Sequence, residues 1–72
     1  GMHVINFQTP DSLHGKTVDS LDLEKTYDLR CLGLSRGSDF ISCESGAVTI
    51  AEGDRLLILG RRENLRKFSD GV

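Results

Sequence analysis

The sequence predicts an α+β fold with a small mixed, mostly antiparallel sheet of four to five strands and two short helices. Short β-branched and apolar runs bounded by glycine or proline predict the strands. Apolar residues spaced three apart predict the helices. A chain of 72 residues holds material for one hydrophobic core, so one domain is expected.

Residues 3–8 are predicted to form the first strand because they are rich in β-branched and aromatic side chains, with Ile5 and Phe7 on one face. Pro10 ends this strand, since proline cannot donate to the ladder. A loop follows, and its lone Leu13 is expected to insert beneath the sheet.

A short helix is predicted from Thr17, whose hydroxyl suits an N-cap, to near residue 25. Because a helix this short is marginal alone, packing of its apolar side chains must hold it in place. Tyr27 follows and is expected to wedge between this helix and the sheet. The apolar side chains of the helix are Val18, Leu21 and Leu23.

A hairpin is predicted from residues 29–35 and 39–43, which are two apolar stretches separated by a short polar turn. The turn contains Gly37, which can adopt the positive φ that a tight primed turn requires. Residues 44–46 are a predicted loop, and 47–50 a short extended piece.

A central strand is predicted just after Gly53 and Asp54, where four apolar residues follow one another. Without polar alternation such a run needs cover on both faces, so it should lie inside the sheet and not at an edge. Gly60 is expected to end this strand. The four residues are Leu56, Leu57, Ile58 and Leu59.

The last predicted element is a helix over residues 62–69, with Leu65 and Phe68 on its buried face. Basic residues cluster around its start and on its remaining surface, and a solvated helix face explains them. Gly1 precedes Met2 and is expected to be a tag remnant, which gives a domain of residues 2–72.

The charge of the chain argues against a nucleic-acid or membrane surface. Nine basic and eleven acidic residues are interspersed and give a net charge of -2. No run approaches the ~18 apolar residues that span a bilayer, and no secretory segment is present, so a cytosolic protein is expected. A core this small typically yields only ~3 to 5 kcal/mol, so dimerisation is expected on physical grounds.

Neither a metal site nor catalytic machinery is predicted. Cys31 and Cys43 are expected to be reduced and partly buried, as lone cysteines in a cytosolic chain usually are. His3 and His14 stand in no zinc-binding spacing, and nothing positions a base or an orienting group for a nucleophilic Cys31. The glycines form no phosphate-binding motif and suit turns.

Three acidic residues admit two interpretations: Asp19, Asp22 and Glu24. They could hold a divalent cation, but such sites need several oxygens converging from one loop or face. Solvation and the favourable position of acidic groups near a helix N-terminus explain them more simply.

An ordered set of motifs spans the chain from Val4 to Phe68 and resembles the C-terminal domain of regulators of potassium conductance, the TrkA-C or RCK-C family. After the first strand, the set consists of Leu13-x-Gly15-Lys16-Thr17, Leu21-x-Leu23, Tyr27, the hairpin, Gly53-Asp54-x-Leu56 through Gly60, and Leu65-x-x-Phe68. Each fragment is weak by itself, whereas the ordered set is fairly specific.

This resemblance implies an α+β fold with a two-fold dimer interface, in a cytosolic domain that regulates potassium channels, potassium uptake systems or other cation transporters. It implies a homodimer that partners a membrane transporter or channel subunit, and a sensor that is not an enzyme. Some members bind cyclic di-adenylate at the dimer interface, so that nucleotide is a candidate regulatory ligand. No cofactor is implied.

The resemblance also suggests a ligand site in the dimer groove, formed by Leu21, Leu23, Glu24, Leu29 and Arg30. In the cyclic-dinucleotide binders an arginine follows the apolar residue at the place of Leu23. Here Glu24 stands there and would repel a phosphate, while Arg30 could compensate from the neighbouring strand.

Two alternatives remain open. The fold could have lost its ligand and serve only to dock proteins or complete an oligomer, which Glu24 favours, and the apolar groove could then be dimer core. A small enzyme is the third and least supported class.

Overall fold

The computed structural model describes residues 1–44 and 46–72. Within these residues, four strands form one sheet: β1 (Met2–Gln8), β2 (Arg30–Arg36), β3 (Asp39–Ser42) and β4 (Arg55–Arg61). The helices are α1 (Leu23–Tyr27) and α2 (Arg62–Asp70), and two 3-10 turns cover Asp11–Leu13 and Asp19–Leu21. The predicted α+β fold is confirmed, with every strand pair antiparallel.

β4 lies inside the sheet, as its apolar run predicts, in the strand order β1-β4-β2-β3. β1 pairs with it along the full length of both strands, from Met2 opposite Arg61 to Gln8 opposite Arg55. The predicted first strand and central strand are therefore confirmed.

The predicted hairpin is also confirmed. β2 and β3 close at Arg36 opposite Asp39, and Gly37 in the turn has a φ of 58°. On its other edge β2 pairs with β4, with a bulge between Cys31 and Gly33. The predicted loop over residues 44–46 includes Ser45, which lies outside the described residues.

The helices and turns cover only one face of the sheet. Leu56 and Ile58 are fully buried there, in a core shared with the helices, the turns and the loops. Leu57 and Leu59 point the other way and are half-buried. The predicted cover on both faces of β4 is therefore wrong for the chain by itself. The main buried residues are Leu13, Val18, Leu23, Leu29, Leu34, Ile50, Leu65 and Phe68.

We call the opposite sheet surface the outer face. Directly paired residues point to the same side, which places Val4, opposite Leu59, on this face. Phe40 lies on this face too, because it is opposite Ser35, which is opposite Arg55 of β4. The exposed fraction is 60% for Phe40 and 54% for Val4. The outer face is thus uncovered, and its apolar side chains are mixed with the polar Asn6, Gln8, Ser35 and Ser42. It also carries three arginines: Arg30, Arg55 and Arg61.

The predicted helix over residues 17–25 is wrong because the chain breaks it in two. Asp22 is left-handed, with a φ of 52°, and separates the 3-10 turn Asp19–Leu21 from α1. Val18 is the N-cap residue of the 3-10 turn, and the Thr17 hydroxyl before it accepts a hydrogen bond from the Ser20 backbone N–H at 3.3 Å. The break lets both Val18 and Leu23 point into the core.

Leu13 inserts beneath the sheet as predicted and is only 2% exposed. The extended piece over residues 47–50 joins none of the four strands and pairs instead with the segment before the 3-10 turn. A single bridge links Thr17 and Thr49, and the Ile50 backbone N–H donates to the Lys16 carbonyl at 2.8 Å.

Gly60 does not end β4, contrary to prediction, because the strand continues to Arg61. A Cβ at Gly60 would collide with the Leu29 side chain, so the missing side chain makes room for a core residue. α2 follows and extends the predicted helix by one residue.

Tyr27, predicted to lie between helix and sheet, packs against the core and against α2. The Tyr27 and Phe68 rings meet edge-on, with their centroids 5.4 Å apart. Phe68 also contacts Phe7 of β1, at 5.2 Å between ring centroids.

The expectation of two reduced cysteines is wrong, because the structure joins Cys31 and Cys43 in a disulfide with their Cα atoms 6.1 Å apart. Such a Cα separation lets two sulfurs meet without backbone movement. The hairpin explains it: β3 returns alongside β2, with Gly33 opposite Ser42, and so brings the residue after β3 beside the start of β2.

None of the helices in the described part of the chain is long and apolar enough to cross a bilayer.

Candidate functional site

A groove of about 480 Å³ opens between the start of α1, the start of β2 and the segment after β3. Three separate stretches of chain therefore meet around it. Its floor contains Leu23 and Leu29, which are 6% and 1% exposed. Its rim is polar and charged.

Two left-handed aspartates bracket α1 and set the shape of this rim. Asp22 and Asp28 have φ values of 52° and 55°, a conformation that aspartate tolerates better than most residues. The Asp28 backbone N–H donates to the Glu24 carbonyl at 3.0 Å, and the Leu29 N–H donates to the Leu23 carbonyl at 3.0 Å. Both hydrogen bonds close the C-terminal end of α1, with Leu23 buried and Glu24 exposed on the rim.

The segment after β3 forms the facing wall. The Gly46 carbonyl accepts a hydrogen bond from the Asp19 backbone N–H at 2.9 Å, and the Val48 carbonyl accepts one from the Val18 N–H at 2.9 Å. Gly46 has a φ of 69°, and a Cβ there would collide with the Asp19 carboxylate. Glycine is required at this position for both reasons.

The charges around the groove are mixed and predominantly negative. Lys25 and Arg30 are the cationic side chains among the described lining residues. Four carboxylates accompany them: Asp19, Asp22, Glu24 and Glu44. All but Glu44 belong to the 3-10 turn, α1 or the residue between them. The described residues contain no group of three or more side chains positioned to hold a metal ion.

The structure brings together four of the five residues that the sequence suggests for the site. Leu23 and Leu29 lie in the floor, and Glu24 and Arg30 are exposed on the rim. Leu21 does not line the groove and is half-buried against the core. Because Leu23 and Leu29 are almost fully buried by the rest of the chain, the surface that a ligand could contact is largely polar.

Sequence reasoning missed the wall formed by Cys43, Glu44 and Gly46. The spacing of twelve between the cysteines, in two strands already assigned to one hairpin, is the signal that could have revealed it. The identity of Gly46 is explained only once its approach to Asp19 is known.

A second cleft of about 450 Å³ lies between β1 and α2 and contains none of the suggested residues. It includes Val4, Ile5 and Leu65 with the exposed Arg62 and Arg66 at its edge. It is shallow and has one carboxylate, that of Asp70.

The Gly53-Asp54 motif forms a structural latch away from both clefts. Asp54 is fully buried, and its carboxylate accepts hydrogen bonds from Arg36 Nε at 3.0 Å, Arg36 Nη2 at 2.8 Å and the Ala51 N–H at 2.7 Å. The Arg36 hydrogen bonds, and then the Ala51 N–H, hold the pKa of Asp54 below its usual range, although burial opposes this. The latch ties the hairpin to the start of β4.

A family model described as the TrkA-C domain matches residues 2–70. No curated protein sequence matches the chain.

Several solved structures share the fold. The RCK C domain of the potassium transport protein KtrA, in complex with cyclic diadenosine monophosphate (c-di-AMP), gives a TM-score of 0.91 at 20% identity, over 99% of this chain and 84% of that one. The RCK_C dimer of S. agalactiae BusR with c-di-AMP gives 0.74 at 14% identity, over 96% and 85%.

The GsuK channel bound to NAD gives a TM-score of 0.83 at 24% identity and covers 97% of this chain. This chain spans only 13% of that channel, so the likeness concerns one domain of a much longer protein. At these identities the three structures establish the fold.

Proposed function

Because the chain belongs to the TrkA-C domain family, we propose that it is a cytosolic, ligand-sensing regulatory domain of a potassium or other cation transport system. It acts as a homodimer formed by residues 2–72 and conveys its state to a membrane transporter or channel subunit. Its role is regulatory and not catalytic, and it neither binds nucleic acid nor inserts into the membrane. The observation that carries the proposal is the groove at which Leu23, Glu24, Leu29 and Arg30 converge.

The construction of the groove suits a sensor. Its walls come from the 3-10 turn with α1, from the start of β2 and from the segment after β3, and backbone hydrogen bonds connect the first and the third. A ligand that contacts more than one wall would favour one arrangement of these segments over others. Differential affinity of this kind supplies ~1 to 3 kcal/mol of coupling to a distant site.

The ligand that we favour carries phosphate groups, since structural neighbours were solved with c-di-AMP or NAD. Lys25 and Arg30 are the cationic residues that line the groove, and both are exposed. Arg30 lies on the outer face through its pairing with Leu59, so its long side chain would contact such an anion around the start of β2. Glu24 opposes it, because a carboxylate beside a phosphate is repulsive. The affinity of this chain for an anionic ligand is therefore expected to be limited by Glu24.

Thermal-shift titrations with c-di-AMP, NAD, ATP, Mg²⁺ and Ca²⁺ test the proposal, because a ligand that binds the folded state raises the melting temperature. Glu24→Arg is expected to increase the shift caused by an anionic ligand, and Arg30→Ala to reduce it. Arg66→Ala, which removes an exposed arginine of the second cleft, is the matched control and should leave the shift unchanged. Equal effects of Arg30→Ala and Arg66→Ala would contradict a site in the groove.

Dimerisation is supported by the apolar residues that the chain leaves uncovered. Leu57 and Leu59 of the central strand are half-buried, and Val4 and Phe40 are mostly exposed. The BusR domain of the same fold was solved as a dimer.

A second candidate function is that of a ligand-free interaction module. The outer face favours this class, since it carries apolar side chains and three arginines but no carboxylate from the four strands. Asp39 is the one acidic residue of these strands, and it lies opposite Arg36 at the hairpin end. Glu24 in the groove favours it as well. A chain whose melting temperature none of the panel ligands raises, with or without Glu24→Arg, would be assigned to this class.

A further inference from the structure

The disulfide between Cys31 and Cys43 lies in the wall of the groove. Both residues line it and both are half-buried, so a small thiol that enters the groove can reach the sulfur atoms. Reactive disulfides require this access.

The bridge connects two walls that are also joined by the hairpin and by the hydrogen bond from Arg36 Nη2 to the Thr49 carbonyl. Cys31 belongs to β2, next to Arg30 on the rim, and Cys43 follows β3 and precedes Glu44. The Gly46 backbone N–H donates to the Cys43 carbonyl at 3.0 Å, and the Gly46 carbonyl accepts from the Asp19 N–H. A covalent and hydrogen-bonded path therefore runs from β2 through the disulfide to the 3-10 turn.

We propose that Cys31 and Cys43 form a thiol–disulfide switch whose oxidation state sets the shape of the groove. With the bridge formed, the segment after β3 is held against β2 at a fixed distance. With the bridge reduced, this covalent constraint is lost, and the wall that carries Glu44 and Gly46 can shift relative to Arg30 while the hydrogen bonds of Gly46 to Asp19 and of Arg36 to Thr49 remain. The regulatory consequence rests on the proposed function, whereas the change in the groove does not.

The chemistry is thiol–disulfide exchange with a dithiol. A thiolate of the dithiol attacks one sulfur of the bridge, which breaks the S–S bond and leaves one cysteine in a mixed disulfide and the other as a thiolate that takes up a proton. The second thiol of the reductant then attacks the reductant's sulfur in the mixed disulfide and releases the second cysteine. Two cysteine thiols form, and the dithiol is oxidised to its own disulfide, with two electrons and two protons transferred. Oxidised glutathione drives the reverse reaction in two exchange steps.

The first test is alkylation followed by intact mass. After incubation with oxidised glutathione, we expect the wild-type domain to take up no iodoacetamide without dithiothreitol and two equivalents after reduction. Uptake of two equivalents before reduction would overturn the switch, because it would show that the bridge does not form.

The second test compares backbone amide NMR spectra of the oxidised and the reduced wild-type domain. We expect the largest differences at groove amides away from the cysteines, such as Asp19, Glu24 and Gly46, and none of similar size in α2. The double variant Cys31→Ser, Cys43→Ser should resemble the reduced form and ignore the redox conditions. Differences confined to the two cysteines and their chain neighbours would overturn the switch.

Titration of both forms with c-di-AMP separates this inference from the proposed function. We expect the affinities of the two forms to differ by about fivefold or more, which is the lower end of typical allosteric coupling. Equal, measurable affinities would overturn the switch. Absence of binding in both forms would count against the proposed ligand, and the amide spectra would still decide whether the groove changes shape.

Discussion

Replacing Asp54 by alanine is expected to destabilise the domain by about 2 kcal/mol, from an interaction that lies outside both clefts. The side chain is fully buried and accepts three hydrogen bonds, two from Arg36 and one from the Ala51 N–H. Its own backbone carbonyl also accepts the Thr9 hydroxyl at 2.8 Å. Alanine removes the first three and keeps the last.

The magnitude follows from the burial of the carboxylate. Loss of hydrogen bonds to a charged group costs ~1.5 to 3 kcal/mol, and we use the lower half of this range. The reason is that the Arg36 side chain is 44% exposed, so water takes over part of the guanidinium interaction once the carboxylate is gone. In a domain of this size, about 2 kcal/mol corresponds to a fall of roughly 10 °C in melting temperature.

Urea denaturation followed by circular dichroism measures this change. Asp39→Ala is the matched control, because Asp39 is an exposed aspartate of β3 and its loss should alter the free energy of unfolding by no more than ~0.5 kcal/mol. If Asp54→Ala proved as stable as Asp39→Ala, the latch would not stabilise the fold and the reasoning would be refuted.

The pH dependence gives an independent check. The pKa of Asp54 is lowered in the folded state, chiefly by the Arg36 hydrogen bonds. Its stabilisation is therefore complete above the unfolded-state pKa of about 3.9 and is lost as the pH falls from there through the folded-state pKa. Below pH ~4 the free energy of unfolding should decline more steeply for the wild type than for Asp54→Ala.

Two further predictions concern packing. Gly60→Ala should destabilise the domain by ~1 to 3 kcal/mol, because the new methyl group meets the buried Leu29 side chain. Gly33→Ala should cost less, because its methyl group meets the ring of the exposed Phe40, which can move away. Equal melting temperatures of the two variants would contradict this. Phe68→Ala should lower the free energy of unfolding by ~3 to 5 kcal/mol, since the ring is 1% exposed and packs against two aromatic rings. Circular dichroism should then show a largely unfolded domain, and a cooperative, native-like melting transition would contradict the prediction.

The strands could be predicted because their signals are local. The run from Leu56 to Leu59 identifies an interior strand whatever surrounds it, and Gly37 marks a tight turn by its conformational freedom alone. The burial of Leu13 followed from its isolation among polar neighbours. In each case the residue type and its immediate neighbours determine the outcome.

The errors concern features that depend on distant residues. Gly60 was expected to end β4, and only the position of Leu29 explains a glycine inside the strand. Asp22 breaks the predicted helix because the core requires both Val18 and Leu23, and no local pattern reveals that requirement.

In the candidate site, too, the local part could be predicted and the part that depends on distant residues could not. Its floor and rim, including Glu24 and Arg30, were suggested by the family resemblance, because they lie in one continuous stretch of the motif. Its far wall was missed, since Cys43 and Gly46 reach the groove only through the path of the chain after β3.

Association of two copies of this chain is the central proposal. Sedimentation equilibrium over a wide concentration range, with and without c-di-AMP, tests it directly. We expect a concentration-dependent species with twice the 7.9 kDa mass of the chain, and a greater proportion of it with a bound ligand. A single species of 7.9 kDa at every concentration and in both conditions would contradict the account.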